Sequence, residues 1–181
     1  MKLRIETRKG LWTLHIGFFF IENSKEAQGY TNRCKDGQYV TFLDYDREFL
    51  KDVVANKDFL EKKFGIFFDF LIQTKKGFHL ISLDKISYNI LREILQDSHC
   101  DPLFARVPFE TALRSSTLRI SKKDGNVPKL LMQFKRKEDL GFELSEAHFL
   151  FLRKAFKISR PLGQFDDFKA LEVVNYWTKG R

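Results

Sequence analysis

Asp44 and Asp46 close an apolar run, Tyr39-Val40-Thr41-Phe42-Leu43-Asp44-Tyr45-Asp46, and their spacing carries chemistry. Side chains two apart on a strand point the same way, so two carboxylates converge at one strand end. Like charges that close repel unless a cation lies between them, and hard divalent ions such as Mg2+ or Mn2+ prefer carboxylate oxygens. Acidic sites of this kind hold one or two metals against a transferring phosphoryl group. The same pair also suits a polar strand end running into a helix N-terminus, where acids are favoured.

Other catalytic arrangements find less support. Cys34 and Cys100 are the only cysteines, which excludes a zinc site built on CxxC pairs and argues against a disulfide framework. No Gly-x-Ser-x-Gly and no phosphate-cradling P-loop occurs, and His15, His79, His99 and His148 have no evident Ser or Cys partner at a nucleophile turn. A two-aspartate phosphatase would use Asp44-x-Asp46 and a late acid such as Asp166 or Asp167. That fold needs alternating parallel strand–helix units, whereas the Thr74–Phe78 turn joins two strands directly. A DxD glycosyltransferase is disfavoured by a chain of 181 residues.

The balance of Lys+Arg 32 against Asp+Glu 24 leaves a formal charge of +8 and a pI near 9.4, which suits a polyanionic partner. Hydrophobic residues make up 43%, enough for a core, and 20 Phe make that core aromatic. Phe interleaved with Lys can also offer stacking platforms to bases. Lys2, Arg4, Arg8 and Lys9 precede an apolar stretch from Leu11 to Ile21, but its alternation is that of a strand and not of a signal peptide. No apolar run spans a bilayer. A soluble protein of the reducing cytoplasm, with no membrane partner, is the expectation.

The elements follow from periodicity. Residues 11–21 read as a strand, Glu22 to Gln38 as a polar loop, and the run ending in Asp46 as a strand. Phe49, Val53, Leu60 and Phe64 form a helical stripe closed by Gly65, with Asn56-Lys57-Asp58 as a candidate interruption. Ile66 to Thr74 and Phe78 to Leu83 read as strands around Lys75-Lys76-Gly77. Asp84 is positioned to cap a second helix with the stripe Ile86, Ile90, Leu91, Ile94 and Leu95. Thr117 to Ser121 and Lys129 to Phe134 read as strands, Ser145 as the cap of a helix through Phe156, and Asp167 as the start of another through Trp177. The order strand, helix, strand, strand, helix, strand is the split βαβ unit of ferredoxin-like and RNA-recognition-type (RRM-like) folds. There the first and third strands are neighbours at the sheet centre, which sets Asp44 and Asp46 beside His79.

Leu43-Asp44-Tyr45-Asp46, then Gly77-Phe78-His79-Leu80-Ile81 after a hairpin, then Leu118-Arg119-Ile120-Ser121, together resemble the archaeo-eukaryotic primase superfamily. That superfamily carries an hhhDhD or hhhDhE motif (h is apolar), a small-x-His motif, a third acid and often an Arg-bearing strand on an RRM-like palm. The resemblance covers residues 39–121. It implies that Asp44 and Asp46 bind the metals, that His79 contacts the phosphates of the incoming nucleotide, and that Arg119 lies near the triphosphate or template. Gly77 takes the small-residue position with only a backbone N–H to offer. Asp101 stands in the order expected of the third acid, with Asp97 and Glu110 as alternatives. Asp101-Pro102 also reads as a helix start, Asp as N-cap and Pro at the first helical position.

The expectation is an α+β fold: an RRM-like or ferredoxin-like βαββαβ palm with an N-terminal β extension and C-terminal helices. Residues 1–134 would form the catalytic palm with its N-terminal β elements, and residues 135–181 a helical appendage packed on it. By resemblance, the function is metal-dependent, template-directed nucleotidyl transfer by a small DNA primase or polymerase domain. Mg2+ or Mn2+ would be the cofactor, with nucleoside triphosphates and a single-stranded or primed DNA template as partners. A helicase or other replication or repair protein is a candidate associate. Lys75, Lys76, Lys122 and Lys123, with Lys135-Arg136-Lys137, would follow the template backbone. The alternative is a catalytically inactive RRM-like protein that binds single-stranded nucleic acid. A lone His on an apolar strand, an Arg on an edge strand and a Lys pair at a hairpin tip also have ordinary structural readings.

Overall fold

The structure is a computed structural model and describes residues 2–9, 12–19, 29–111, 114–119, 125–136 and 140–158. The alternation from Trp12 onward forms one arm of a hairpin, in which β1 (Lys2–Lys9) pairs antiparallel with β2 (Trp12–Phe19). The polar segment expected as a loop holds a short strand, β3 (Gly29–Thr31). It pairs antiparallel with β7 (Thr117–Arg119), Tyr30 opposite Leu118.

The principal sheet contains β4 (Tyr39–Asp46), β5 (Phe70–Gln73), β6 (Gly77–Ile86) and β8 (Lys129–Gln133). Its order is β4-β6-β5-β8, with every neighbouring pair antiparallel. Four helices complete a mixed α+β fold among the described residues: α1 (Leu50–Phe64), α2 (Tyr88–Asp97), α3 (Pro102–Glu110) and α4 (Glu146–Phe156).

α1 forms because Leu50, Val53 and Leu60 recur on one side and are buried. It stops at Gly65, whose φ of 65° is the left-handed conformation glycine adopts freely, and whose N–H returns to the Glu61 carbonyl. Asn56-Lys57-Asp58 does not interrupt it. Asn56 Oδ1 instead accepts from the Tyr45 hydroxyl at 2.7 Å and from the His99 N–H at 3.2 Å. α2 begins at Ser87, whose hydroxyl accepts from the Ile90 N–H. The expectation that Asp84 caps this helix is corrected, since Asp84 lies within β6 and is fully buried.

The two faces of the sheet bury different residues, as period-2 alternation requires. Leu43, Tyr45, Leu71, Phe78 and Leu80 pack against α1 and α2. Val40, Phe42, Phe70, Ile72, Ile81 and Leu83 pack on the other face with Leu118, Leu152 and Ile158. By the same alternation, Asp44 and Asp46 continue the face of Val40 and Phe42, not the face of the first two helices.

β4, α1 and β5 form a split unit, with β6 inserted between the two strands. β4 and β6 are neighbours as expected, but β4 stands at the sheet edge and not at its centre. β7, expected as the fourth palm strand, joins β3 in a separate sheet, and β8 extends the far side beyond β5.

Phe134 and residues beyond it are stitched into this sheet. The Phe134 N–H donates to the Asp69 carbonyl, the Lys85 N–H to Glu143 and the Ser145 N–H to Leu83. Arg136 holds Asp69 through Nε and Nη2 at 2.7 and 2.8 Å and Asp84 through Nη1 at 2.7 Å. Both acids have 0% side-chain exposure. Burial pushes the Asp69 carboxyl up to about 6 against the opposing pull of the guanidinium. Ser145 stands at the N-cap of α4, yet its hydroxyl bonds the His148 ring and not the helix backbone. The helix expected from Asp167 to Trp177 lies outside the described residues.

Candidate active site

β4 and β6 determine what meets at the end of the sheet. Their register sets Asp44 opposite His79 and Asp46 opposite Gly77. Directly opposed residues share a face, so the imidazole rises beside the Asp44 carboxylate. His79 Nε2 lies 3.2 Å from Asp44 Oδ1, with side-chain exposures of 9% and 28%. The other ring nitrogen, Nδ1, is buried and has no hydrogen-bond partner.

These residues line a cleft of about 230 Å³. Asp44 and Asp46 come from β4 and His79 from β6; Thr74, Lys75 and Lys76 come from the β5–β6 hairpin. Thr117, Leu118 and Arg119 of β7 contribute, as do Phe104 of α3 and, before β8, Asn126 and Pro128. Leu118 is buried while Thr117 and Arg119 are exposed, the alternation expected of that strand. Lys75 and Lys76 are exposed at the hairpin tip. The structure thus brings Asp44, Asp46, His79, Arg119, Lys75 and Lys76 to one cavity from positions spread over 76 residues of sequence, since Asp44 and Arg119 bound the span (119 less 44, counted inclusively).

The hairpin is organised by Thr74. Its hydroxyl accepts from the Gly77 N–H at 3.1 Å, and its N–H donates to the Gly77 carbonyl at 2.9 Å. The N–H expected to reach a phosphate from Gly77 therefore serves the turn. Glycine is required there for another reason: a Cβ would collide with the Tyr45 backbone of β4. Beyond Asp46 the chain leaves the strand through Arg47, whose φ of 63° is left-handed and whose N–H is held by the Lys76 carbonyl at 2.8 Å.

Asp101 approaches the site by its backbone. Its N–H donates to the Asp44 carbonyl at 2.6 Å, while Oδ1 accepts from the Leu103 and Phe104 N–H groups, both at 2.9 Å. The carboxylate caps α3 and does not line the cleft, so the helix-start reading describes it and the third-acid role is not supported. Asp97 pairs with Lys63 at 2.6 Å, and Glu110 ends α3; neither lines the cleft. Among the described residues no group of three or more His, Cys, Asp or Glu is arranged to hold a metal. Lys122, Lys123 and Lys137 lie outside the described residues. Arg136, expected on the template path, is committed to Asp69 and Asp84.

Sequence reasoning missed Thr74, Phe104, Thr117, Asn126 and Pro128 as cleft residues. For Phe104 a signal existed, because it follows the Asp101-Pro102 helix start by less than one turn. A second polar constellation was also missed. The Ser145 hydroxyl and His148 Nδ1 are 2.6 Å apart, and His148 Nε2 is 3.0 Å from the Thr31 carbonyl. A carbonyl can only accept, so Nε2 carries the proton and Nδ1 accepts from Ser145. The Cys34 thiol donates to the same Ser145 oxygen at 3.7 Å. Ser145 and His148 are 3% exposed, which makes this a pin between β3 and α4 and not an accessible nucleophile. Burial raises the Cys34 thiol and pushes the Cys100 thiol up to about 11, so neither is a ready thiolate.

No family model, no curated protein and no solved structure matches this chain.

Proposed function

We propose that the chain is a metal-dependent nucleotidyltransferase, a small primase- or polymerase-type domain that joins nucleotides on a DNA template. The observation that carries this reading is the composition of one cleft: two carboxylates from adjacent same-face positions of β4, faced by the exposed cations Lys75, Lys76 and Arg119. A passive anion-binding surface gains nothing from two acids among its bases, whereas a divalent cation carrying a polyphosphate needs both signs. The motifs that resemble the archaeo-eukaryotic primase superfamily include Asp44, Asp46 and Arg119 of this set. An RRM-like palm is proposed for the split β4–α1–β5 unit with β6 between its strands.

The donor set fits a hard divalent cation, because Asp44 and Asp46 offer carboxylate oxygens on one face with Asp46 open to solvent. Mg2+ or Mn2+ bound there would stabilise charge on the triphosphate and favour deprotonation of an attacking hydroxyl. Asp44 and Asp46 would hold that ion. Lys75, Lys76 and Arg119 would bind phosphate oxygens and orient the chain of phosphates along the cleft. Phe104 and Leu118 supply the apolar wall.

The commitment of Asp101 to its helix cap favours a second reading, a nucleic-acid-binding protein without catalysis. One assay separates the two. Incubation with primed or unprimed DNA template, labelled nucleotides and Mn2+ is expected to give template-directed incorporation that Asp46→Ala abolishes. Template binding with no incorporation under either condition would replace the first reading with the second.

A further inference from the structure

Resting on the cation-holding role proposed for Asp44, we infer that His79 is a positioning residue for the Asp44 carboxylate and not a phosphate ligand. Both ring nitrogens lead to this assignment. Nδ1 is buried with no partner, so a proton there would be an N–H sealed from water and lacking an acceptor. The ring proton therefore sits on Nε2, 3.2 Å from Asp44 Oδ1, where it donates to the carboxylate. A ring in this state has one N–H, already engaged, and one nitrogen without access to the cleft. It has nothing left to offer an anion.

The backbone enforces this arrangement. His79 lies directly opposite Asp44 on β4 and directly opposite Ile72 on β5, so the ring rises between a carboxylate and an aliphatic side chain. Engaging Oδ1 restrains the carboxylate and leaves its second oxygen as the ligand, the usual way outer groups orient metal-binding carboxylates. The phosphate charge then falls to the exposed Lys75, Lys76 and Arg119 on the same cleft.

The test compares the full chain with His79→Leu, His79→Asn and His79→Gln. Gln can place an amide N–H near the position of Nε2, whereas Asn reaches only as far as Nδ1 and Leu donates nothing. Mn2+ affinity is read by electron paramagnetic resonance of the free ion, and inorganic tripolyphosphate affinity by calorimetry without metal. Leu and Asn are expected to weaken Mn2+ binding by roughly 10–100-fold, and Gln to stay within a few-fold of the native protein. Tripolyphosphate affinity is expected to be the same in all four. If His79→Leu fails to fold by circular dichroism, the contrast between Gln and Asn carries the test. Unchanged Mn2+ affinity in the variants, or loss of tripolyphosphate binding in its place, overturns the inference and leaves the cation site standing. Absence of Mn2+ binding by the native protein overturns both.

Discussion

At Gly77 the backbone of β6 runs so close to the carbonyl of Tyr45 that the Cβ of any other residue would overlap it. The next residue of β4 is Asp46, directly opposite Gly77 in the register. The absence of a side chain at residue 77 is therefore what lets the Lys75–Lys76 hairpin sit beside the carboxylates. Gly77→Ala is expected to force the two strand ends apart and cost about 1–3 kcal/mol as an overpacked contact. Urea unfolding measures that loss. Unchanged stability would show that the strands separate without strain.

Asp46→Ala is expected to leave the metal-free protein as stable as before, because Asp46 is exposed and its loss relieves repulsion with Asp44. The native protein at an Mn2+ concentration of about 100 times its dissociation constant should gain about 2.7 kcal/mol by mass action. The variant should gain much less. Thermal unfolding with and without Mn2+ reads the difference, and an equal gain in both would remove Asp46 from the cation site.

How much of this was legible in the sequence depends on the range of the interaction. Asp44 and Asp46 could be set on one face from sequence because period 2 is a local rule. His79 could be set beside them because the order of strands and helices implies a split unit in which the first and third strands pair. Asp84 could not. An Asp just before an apolar helical stripe looks like an N-cap, whereas its partners as a buried strand residue are distant in sequence: the Phe67 N–H, 17 residues earlier, and Arg136, 52 residues later. The position of β7 was hidden for a similar reason, since a three-residue strand carries no signal of which partner it joins. At Asp101 the sequence showed both roles, and two short hydrogen bonds from Leu103 and Phe104 decide for the cap.

His148 should make stability depend on pH. Burial, and to a smaller degree the nearby Lys85, hold its ring below the ordinary histidine value, against the Thr31 carbonyl, which pulls it up. Below pH 6.5 the unfolded chain then binds more protons than the folded one. The contribution is fully present above pH 6.5 and is lost as pH falls through the depressed folded value, at no more than about 1.4 kcal/mol per pH unit. His148→Gln is expected to flatten this part of the profile. Parallel denaturation profiles of the two proteins from pH 7.5 to 5 would assign the dependence elsewhere.

Binding of single-stranded DNA should fall steeply with salt, since each phosphate neutralised contributes a slope of roughly −0.7 in log affinity against log salt. Replacing Lys75 and Lys76 together by Gln is expected to reduce the magnitude of the slope by about 1.4. Sequence preference should not change, because phosphate contacts position a strand without reading it. Fluorescence anisotropy over a salt series measures both. An unchanged slope would place the strand away from the hairpin.

The clasp of Arg136 on Asp69 and Asp84 also sets a clock for the nascent chain. The acids emerge 67 and 52 residues ahead of the only cation that pairs with them among the described residues. During synthesis at about 5–20 residues per second, the later acid waits about 3–10 s for its partner. Sealing either carboxylate away from water during that wait would cost several kcal/mol, so the sheet is expected to stay open until Arg136 clears the ribosome. Chains arrested before that point should be cut by protease within β6, and chains arrested well after it should resist. The arrival of this one cation would then act as the trigger for closing a sheet whose first strands were made seconds earlier.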